Sequence, residues 1–198
     1  MHKQKREGDA LRQGGFTLIE TLVAVLILAS AIAGPLSIAS HSLNNSLVAK
    51  DQITAFFLAG DAVEYVRFLR DTNRLLGADW ITGAGTTTST DLTPCQDPKG
   101  CYVDTTGNSY IDPNGNTPNV PVTCPSSCPR MDYDTTNSRF TYQDVNTVPL
   151  IVSSPFTRKI YLNAISATEQ QLTVTVSWKD MGSTTRSINV SENIFAWQ

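Results

Sequence analysis

The chain has 198 residues, of which 40% are hydrophobic and 17% charged, with a formal net charge of −3. This length suits one globular domain with additional elements and is too short for two full domains. No excess of basic residues points to nucleic acid as a partner. The charge is uneven, however: four of the 15 basic and two of the 18 acidic side chains lie in residues 1–15, which leaves a net charge of −5 on the rest.

A long apolar segment follows this basic N-terminus. Residues 16–33 are apolar with four exceptions, namely Thr17, Glu20, Thr21 and Ser30. Eighteen such residues lie near the lower limit for a helix that crosses a bilayer. Because the basic residues precede the segment, the positive-inside rule predicts that residues 1–15 are cytoplasmic and that the chain after Ala33 lies outside.

Two other interpretations of the segment remain. It could be the buried core helix of a globular domain, although the basic flank disfavours this. It could also be a secretory signal peptide, because the charged and apolar regions stand in the right order. The only cleavage candidate of small residues is then "AIAGPLSIAS", and a cut there would discard Glu20.

Glu20 is the unusual residue of the segment. An acidic side chain at the centre of a bilayer helix costs roughly 2.5–3.5 kcal/mol, and less near the helix start. Inside a packed apolar bundle a cation would have to offset the charge, and a cut between Gly15 and Phe16 would create one, a new α-amino group. Glu20 cannot comfortably reach the amine of its own helix, but it could reach that of a copy displaced by about one turn. Such head-to-tail contacts build open filaments.

The stretch "GGFTLIETLVAVLILA" resembles the class III signal of type IV pilins and type II secretion pseudopilins. In that pattern a basic leader ends in glycine, the mature chain begins with phenylalanine, and glutamate is its fifth residue; the matching positions are Gly15, Phe16, Thr17, Leu18 and Glu20. The resemblance implies that a membrane-embedded prepilin peptidase cleaves after Gly15 and methylates the new amine of Phe16. It also implies that Glu20 neutralises the N-terminus of a neighbouring subunit during assembly.

The resemblance implies partners and a location as well. The partners are prepilin peptidase, other pilin or pseudopilin subunits, an inner-membrane assembly platform and the lipid bilayer. The protein would begin as a single-pass protein of the cytoplasmic membrane with its N-terminus inside, and end in an extracellular or periplasmic filament. A minor pilin or pseudopilin is favoured over a major pilin, because the leader of 15 residues and the disulfide-bearing loops suit an accessory subunit. The alternative function is a solitary membrane-anchored extracellular binding module.

The helix is predicted to continue beyond the apolar segment. At Gly34-Pro35 the proline predicts a kink or local melting, because it lacks a backbone donor. The helical pattern then resumes and is predicted to end near Leu76-Gly77, with Gly77 as its C-cap. The predicted buried stripe consists of Phe56, Ala59, Val63, Val66 and Leu69, and the charged residues predicted on other faces are Lys50, Asp51, Asp61, Glu64, Arg67 and Arg70.

Residues 83–155 are rich in Thr, Ser, Asn, Gly and Pro, which predicts long loops with short strands, one of them within 129–143. Four cysteines fall here: Cys95, Cys101, Cys124 and Cys128. In an exported chain an even number of cysteines predicts two disulfides, whose pairing the sequence leaves open. We favour 95–101 with 124–128, because "CQDPKGC" can close on its turn, over the two crossed pairings. A zinc site formed by all four thiolates fits poorly, because five and three residues intervene within the pairs.

The C-terminal part alternates apolar and polar residues in three stretches, 156–166, 170–180 and 184–197. This predicts a meander of half-buried antiparallel strands, with Leu172, Val174, Val176 and Trp178 on the inner face and "KDMGST" as the last turn. The fold class is therefore α+β, a long N-terminal helix packed on a C-terminal antiparallel sheet, as in pilins. The predicted segments are a leader (1–15), a transmembrane helix (16–36), its amphipathic continuation (37–76) and a globular domain (77–198) with its disulfide region at 95–128.

No catalytic, metal or cofactor site is predicted. His2 lies in the leader and His41 just beyond Pro35, so no His/Asp/Ser arrangement can form in the outer domain. "DPNGN" at 112–116 begins like a calcium loop, but Thr117 stands where glycine is needed, so a turn is the better interpretation. The pair Asp132/Asp134 is interpreted as a solvated turn. A membrane-tethered enzyme is therefore the weakest of the three function classes.

Overall fold

A computed structural model describes residues 15–84, 90–106, 120–143, 150–179 and 184–197. Within these ranges the elements are helix α1 (Leu18–Leu75), a short 3₁₀-helix (Thr93–Gln96) and seven strands, β1 (Cys101–Tyr102), β2 (Val122–Thr123), β3 (Arg130–Asp134), β4 (Arg139–Thr141), β5 (Ile151–Ser166), β6 (Glu169–Lys179) and β7 (Thr185–Phe195). The chain forms two compact units, Met1–Leu47 and Val48–Gln198. The calcium-like stretch 112–116 lies outside the described residues.

The second unit is a helix packed on an antiparallel sheet, so the predicted α+β class is confirmed. The sheet order is β2-β1-β5-β3-β4, and β6 pairs with both β5 and β7. The predicted meander is therefore confirmed as β5-β6-β7. Its last turn, "KDMGST", falls mostly on residues outside the described ranges.

Strand β5 is longer than predicted, because it begins at Ile151 and not at Phe156. Pro155 lies in the added part of β5. On one side it faces the bulge of β3, between the pairs Asp132↔Ser153 and Arg130↔Thr157. On the other side it precedes the first pair with β6, Thr157↔Ser177. A proline is tolerated at such a position because no regular ladder bond needs its missing N–H. Strands β3 and β4 form a hairpin in the region where the sequence predicted one short strand.

The alternation of β6 places its apolar residues in the core as predicted. Leu172, Val174 and Val176 are fully buried, and Trp178 is 4% exposed. They join helix residues Ala55, Ala59 and Ala62, which are each 0% exposed. Three alanines on one helix face let the helix axis approach the sheet closely, and the larger Val66 and Leu69 fill the space further along.

Two predicted positions on this helix are wrong. Phe56 is 62% exposed, because the buried face runs through its neighbours Ala55 and Leu58, and Phe56 points about 100° away from Ala55. Arg70, predicted on a solvent face, is only 6% exposed, because it follows Val66 by one turn on the buried side. Its guanidinium reaches the half-exposed carboxylate of Asp71, with an Nε–Oδ1 distance of 2.8 Å.

The helix ends as its sequence predicts. Gly77 has a φ of +69°, its N–H donates to the carbonyl of Arg74 at 3.1 Å, and the N–H of Ala78 donates to the carbonyl of Asn73 at 3.0 Å. These two bonds are those of a Schellman motif, in which the left-handed residue is best provided by glycine. Gly77 as the C-cap of α1 is therefore confirmed.

The pair Asp132/Asp134 is divided between a strand and a turn. Both lie on β3, but Asp134 ends that strand and caps the hairpin turn by accepting from the backbone N–H of Thr136 and of Asn137, at 2.9 and 3.1 Å. The side-chain hydrogen bond from Asn137, together with these N–H groups, lowers the pKa of the Asp134 carboxyl. Asp134 thus belongs to a turn, but it is only 6% exposed, so the prediction that it is solvated is wrong, and Asp132 pairs within the sheet opposite Thr141.

One buried cation ties the helix to the sheet. Arg158 lies on the inward side of β5 and is 0% exposed. Its Nη1 donates to the carbonyl of Leu58 at 3.0 Å and to the carboxylate of Asp61 at 2.9 Å, both on α1. Its Nη2 donates to the carbonyl of Val103, just after β1, at 2.8 Å. The guanidinium fork therefore links three elements at once, which a single ammonium cannot do.

Two further polar contacts support this arrangement. Asp104 is 1% exposed and accepts from the Thr141 hydroxyl at 2.7 Å and from the Tyr142 N–H at 3.1 Å, which fixes the end of β4. Desolvation raises the pKa of the neighbouring Tyr142 phenol to about 12. At the other edge of the sheet, Arg67 of α1 donates through its Nε to Glu192 of β7 at 2.9 Å.

The four cysteines lie in two sequence-local pairs. The structure joins Cys95 to Cys101 and Cys124 to Cys128, with Cα–Cα distances of 4.5 and 4.6 Å. The two loops also contact each other, because the N–H of Cys124 donates to the carbonyl of Gly100 at 2.9 Å and Cys101 pairs with Thr123. Both bridges are buried, so the four cysteines are part of the core.

The first prediction concerns Arg158. Arg158→Lys keeps the charge but cannot donate to Leu58, Asp61 and Val103 together, so at least one buried carbonyl loses its donor. We expect the free energy of unfolding to fall by about 2 kcal/mol. The measurement is a urea titration of the protein in nonionic detergent, followed by tryptophan fluorescence. The exposed Arg130→Lys is the control, and an equally small change in both variants would contradict the bridging role of Arg158.

The second prediction concerns the cysteines. Peptide mapping without reductant should find only the 95–101 and 124–128 bridges. Serine at both members of one pair should lower the free energy of unfolding by about 2 kcal/mol, because each closed loop is short. A crossed bridge, such as one between Cys101 and Cys128, or four free thiols in the exported protein would contradict this pairing.

Candidate functional site

The predicted cleavage site lies just before the helix. Residues 15–17 are not helical, and α1 begins at Leu18. Phe16 is 80% exposed, and a Cβ added at Gly15 would meet no atom within 4 Å. Packing within the described part of this chain therefore gives no reason for glycine at position 15.

Thr17 starts the helix by capping it. The N–H of Glu20 donates to the Thr17 hydroxyl at 3.3 Å and to the Thr17 carbonyl at 3.1 Å, and the N–H of Thr21 donates to the same carbonyl at 3.2 Å. Threonine at the N-cap with glutamate three residues later is the sequence of a capping box. This role of Thr17 was not predicted, although "TLIE" carries its signature.

Glu20 has a local role as well, because an acidic side chain in the first turn interacts favourably with the helix dipole. The carboxylate itself, however, makes no hydrogen bond or ion pair within the part of the chain that the structure describes. Glu20 is also the only acidic or basic residue from Phe16 to Ala49, apart from His41. Its carboxylate thus has no partner among the described residues.

The apolar segment of the first unit, residues 16–33, suits an apolar environment. All residues from 15 to 47 are exposed, among them Leu18 at 83% and Ile19 at 72%. Two hydroxyls in this segment are satisfied within the helix: Thr21 donates to the Leu18 carbonyl at 2.9 Å, and Ser30 to the Ile27 carbonyl at 2.9 Å. A helix with satisfied hydroxyls and an apolar surface loses little when it leaves water.

The helix is long and apolar enough in this part to cross a membrane. The assigned helix continues through Gly34 and Pro35, so local melting is not seen at this point. Proline still cannot donate to the carbonyl one turn earlier. The hydroxyl of Ser40 donates to the Leu36 carbonyl at 3.0 Å just beyond it. The kink itself stays a prediction.

The candidate residues therefore fall into separate groups. Gly15, Phe16 and Glu20 lie close to the start of α1, Gly34 and Pro35 lie further along it, and the four cysteines belong to the second unit. Among the described residues, no group of three or more His, Cys, Asp or Glu side chains could hold a metal ion. Arg158 was not predicted as a structural residue, although its inward position in the alternation of β5 was the available signal.

Comparison with known proteins identifies the N-terminal segment. Residues 11–34 match the model of the prokaryotic N-terminal methylation motif, the class III signal of type IV pilins. No curated protein and no solved structure matches the chain. The motif covers the cleavage site, Glu20 and the apolar helix, and it is typical of structural proteins that are anchored in a membrane. The chain therefore resembles prepilins in its N-terminal segment, and its α+β fold is pilin-like.

Proposed function

We propose that this chain is a structural subunit, a minor pilin or pseudopilin, of a type IV pilus or a type II secretion-like filament. Prepilin peptidase cleaves it after Gly15 and methylates Phe16, and the mature protein assembles through its N-terminal helix. The observation that carries the proposal is the methylation motif at residues 11–34, in register with Gly15, Phe16 and Glu20.

The geometry around Gly15 supports cleavage there. The residue has no packing contact that requires glycine and no left-handed backbone angle among those found in the described chain. A residue without a side chain in this open position lets an enzyme approach the backbone closely. Helix α1 begins at Leu18, so the scissile bond is not held in helical hydrogen bonds.

The surroundings of Glu20 support assembly through charge pairing. Cleavage creates an ammonium group at Phe16, at the positive end of the helix dipole. Within an apolar bundle this cation and the Glu20 carboxylate both need a partner. When a neighbouring subunit is displaced by about one turn, the Glu20 carboxylate of one subunit pairs with the Phe16 ammonium of the other. Removing one member of a buried ion pair costs about 3–5 kcal/mol, whereas the net free energy of burying the intact pair can be close to zero.

The proposed division of the chain follows from this mechanism. Residues 1–15 are the leader, 16–36 cross the membrane and later form the filament core, 37–76 continue the helix, and 77–198 form the exported domain. The proposed partners are the peptidase, other pilin or pseudopilin subunits, the inner-membrane assembly platform and the lipid bilayer. Glu20 argues against a place at the very tip of the filament, because a tip subunit meets no earlier N-terminus.

A solitary membrane-anchored binding module is the competing function. It accounts for the apolar helix and for a folded outer unit. It gives no reason for the Gly15-Phe16 signal, and it explains Glu20 only through its place in the first turn of the helix, where a carboxylate still costs free energy in a membrane anchor. The two functions therefore differ in what a change at Glu20 does.

The third prediction concerns processing. Mass spectrometry of the protein from its native membrane should find a chain that begins with N-methylated Phe16. Gly15→Val should block cleavage, because a branched side chain obstructs close approach to the backbone. Gly14→Val is the matched control. A mature protein that keeps residues 1–15, or one that begins after Ala33, would rule out this processing.

The fourth prediction concerns Glu20. Glu20→Val should leave membrane insertion intact, because no carboxylate needs to be desolvated. It should reduce incorporation into the filament by at least about a hundredfold, since an unmatched buried ammonium costs about 3–5 kcal/mol. The measurement is co-purification with the other filament subunits. Thr21→Val is the matched control, because it removes a hydroxyl that bonds to its own helix.

The outcome at Glu20 distinguishes the two functions. Normal incorporation of Glu20→Val would contradict the pairing and would favour the solitary anchor. Equal loss in Thr21→Val would show that the helix surface in general, and not the charge, controls assembly.

A further inference from the structure

The outer face of the β5-β6-β7 meander carries polar side chains with little charge. Away from the strand ends, the residues that alternate with the buried ones are Thr, Ser, Asn and Gln, with Lys159 and Tyr161 as the exceptions. Neighbouring side chains bond across the strands: Thr173 to Ser191 at 3.1 Å and Thr175 to Asn189 at 2.7 Å. Groups of this kind both donate and accept hydrogen bonds.

A groove runs along one end of this face. It consists of two adjoining hollows of about 480 Å³ each, which share Thr157 and Ser177. The first hollow lies between the sheet and the two disulfide-closed loops and is lined by Lys99 and Lys159. The second contains Arg130 and Lys179. We call this feature the outer groove.

The wall of the outer groove is held in place. Lys159 Nζ donates to the carbonyl of Pro98 at 3.1 Å. Gly100 has a φ of +76°, and a Cβ there would come within 2.6 Å of Lys159 Cε and 2.7 Å of the Ile160 carbonyl oxygen. The loop thus lies directly on the lysine. A ligand would not have to order this wall, which lowers the entropic cost of binding.

The outer groove is cationic in an acidic protein. Its described lining residues include four basic side chains and no carboxylate, although the chain carries a net charge of −3. The carboxylate of Asp180, the next residue in the sequence, can neutralise Lys179. Only Lys99, Lys159 and Arg130 are therefore counted as available cations. Lys99 and Arg130 are exposed. A local excess of positive charge attracts anionic ligands.

We propose that the outer groove binds a segment of an acidic polysaccharide. The cations meet carboxylates of the sugar acids, and the serine and threonine hydroxyls bond the sugar hydroxyls. Nucleic acid fits less well for two reasons. Duplex DNA carries one negative charge per about 1.7 Å of its axis, and proteins bind it mainly through many cations. The outer groove offers three available cations, in a protein whose net charge is negative. The described lining also has no exposed aromatic ring on which bases could stack. This site does not depend on how the N-terminal helix assembles.

The fifth prediction tests this site. The full-length protein in nonionic detergent should bind fluorescently labelled alginate oligosaccharides, measured by anisotropy, and should not bind neutral dextran oligosaccharides of the same length. Because each exposed ion pair contributes a factor of up to about five, Lys99→Gln with Arg130→Gln should weaken binding by about five- to twentyfold. The matched control is Lys50→Gln with Arg74→Gln, which changes the charge equally on exposed helix positions.

A second variant separates charge from folding. Ser127→Glu adds a carboxylate to an exposed position on the groove wall and should weaken alginate binding without changing the circular dichroism spectrum. Three outcomes would overturn the proposal. These are no alginate binding above that of dextran, equal weakening in the helix control, or tighter binding to duplex DNA with the same loss in the groove variants, which would assign the groove to nucleic acid.

Discussion

The organisation of the N-terminal helix depends on one unbalanced charge. The hydroxyls near its start are satisfied within the helix, by the Thr17 cap and by the bond of Thr21 to a backbone carbonyl. The Glu20 carboxylate has no partner within the described chain, although it lies in a surface that favours hydrocarbon. A charge that a chain does not balance itself must be balanced by water, by lipid headgroups or by another molecule. Methylation at Phe16, which the matched motif implies, leaves a cation that can fill this role.

In the second unit, a buried charge is balanced by groups of the same unit. Arg158 is fully buried, and its guanidinium reaches a carboxylate and two carbonyls on two other elements. Because these partners are already in place, the buried cation stabilises the contact between helix and sheet. The contrast with Glu20 is informative. Within one chain, a buried charge has its partners built into the fold, whereas we propose that the charge in the apolar helix is paired by a second subunit.

The sequence was sufficient where a local rule decides the structure. Gly77 ends the helix because only glycine adopts its backbone angle easily, and the alternation of β6 assigns Val174 and Val176 to the core. The sequence was not sufficient where tertiary packing decides the structure. Phe56 is more apolar than Ala55, yet the small alanine faces the sheet because the helix axis lies close to it. Arg158 was missed because an arginine is expected at the surface until its partners on α1 and after β1 are known.

For the candidate site, the motif at Gly15, Phe16 and Glu20 could be predicted. The capping role of Thr17 depends on side-chain positions, and the outer groove depends on loops that are far apart in sequence.

The central claim is that Glu20 contacts the N-terminal amine of a neighbouring subunit. A hydrophobic carbodiimide, applied to membranes in which the filament is assembling, activates a carboxylate and joins it to an amine only when the two are in contact. We expect an amide between Glu20 and the N-terminus of a second subunit, identified by mass spectrometry of the linked peptides. Recovery of Glu20 only as the unlinked acylurea adduct, which forms when no amine is in reach, would contradict it.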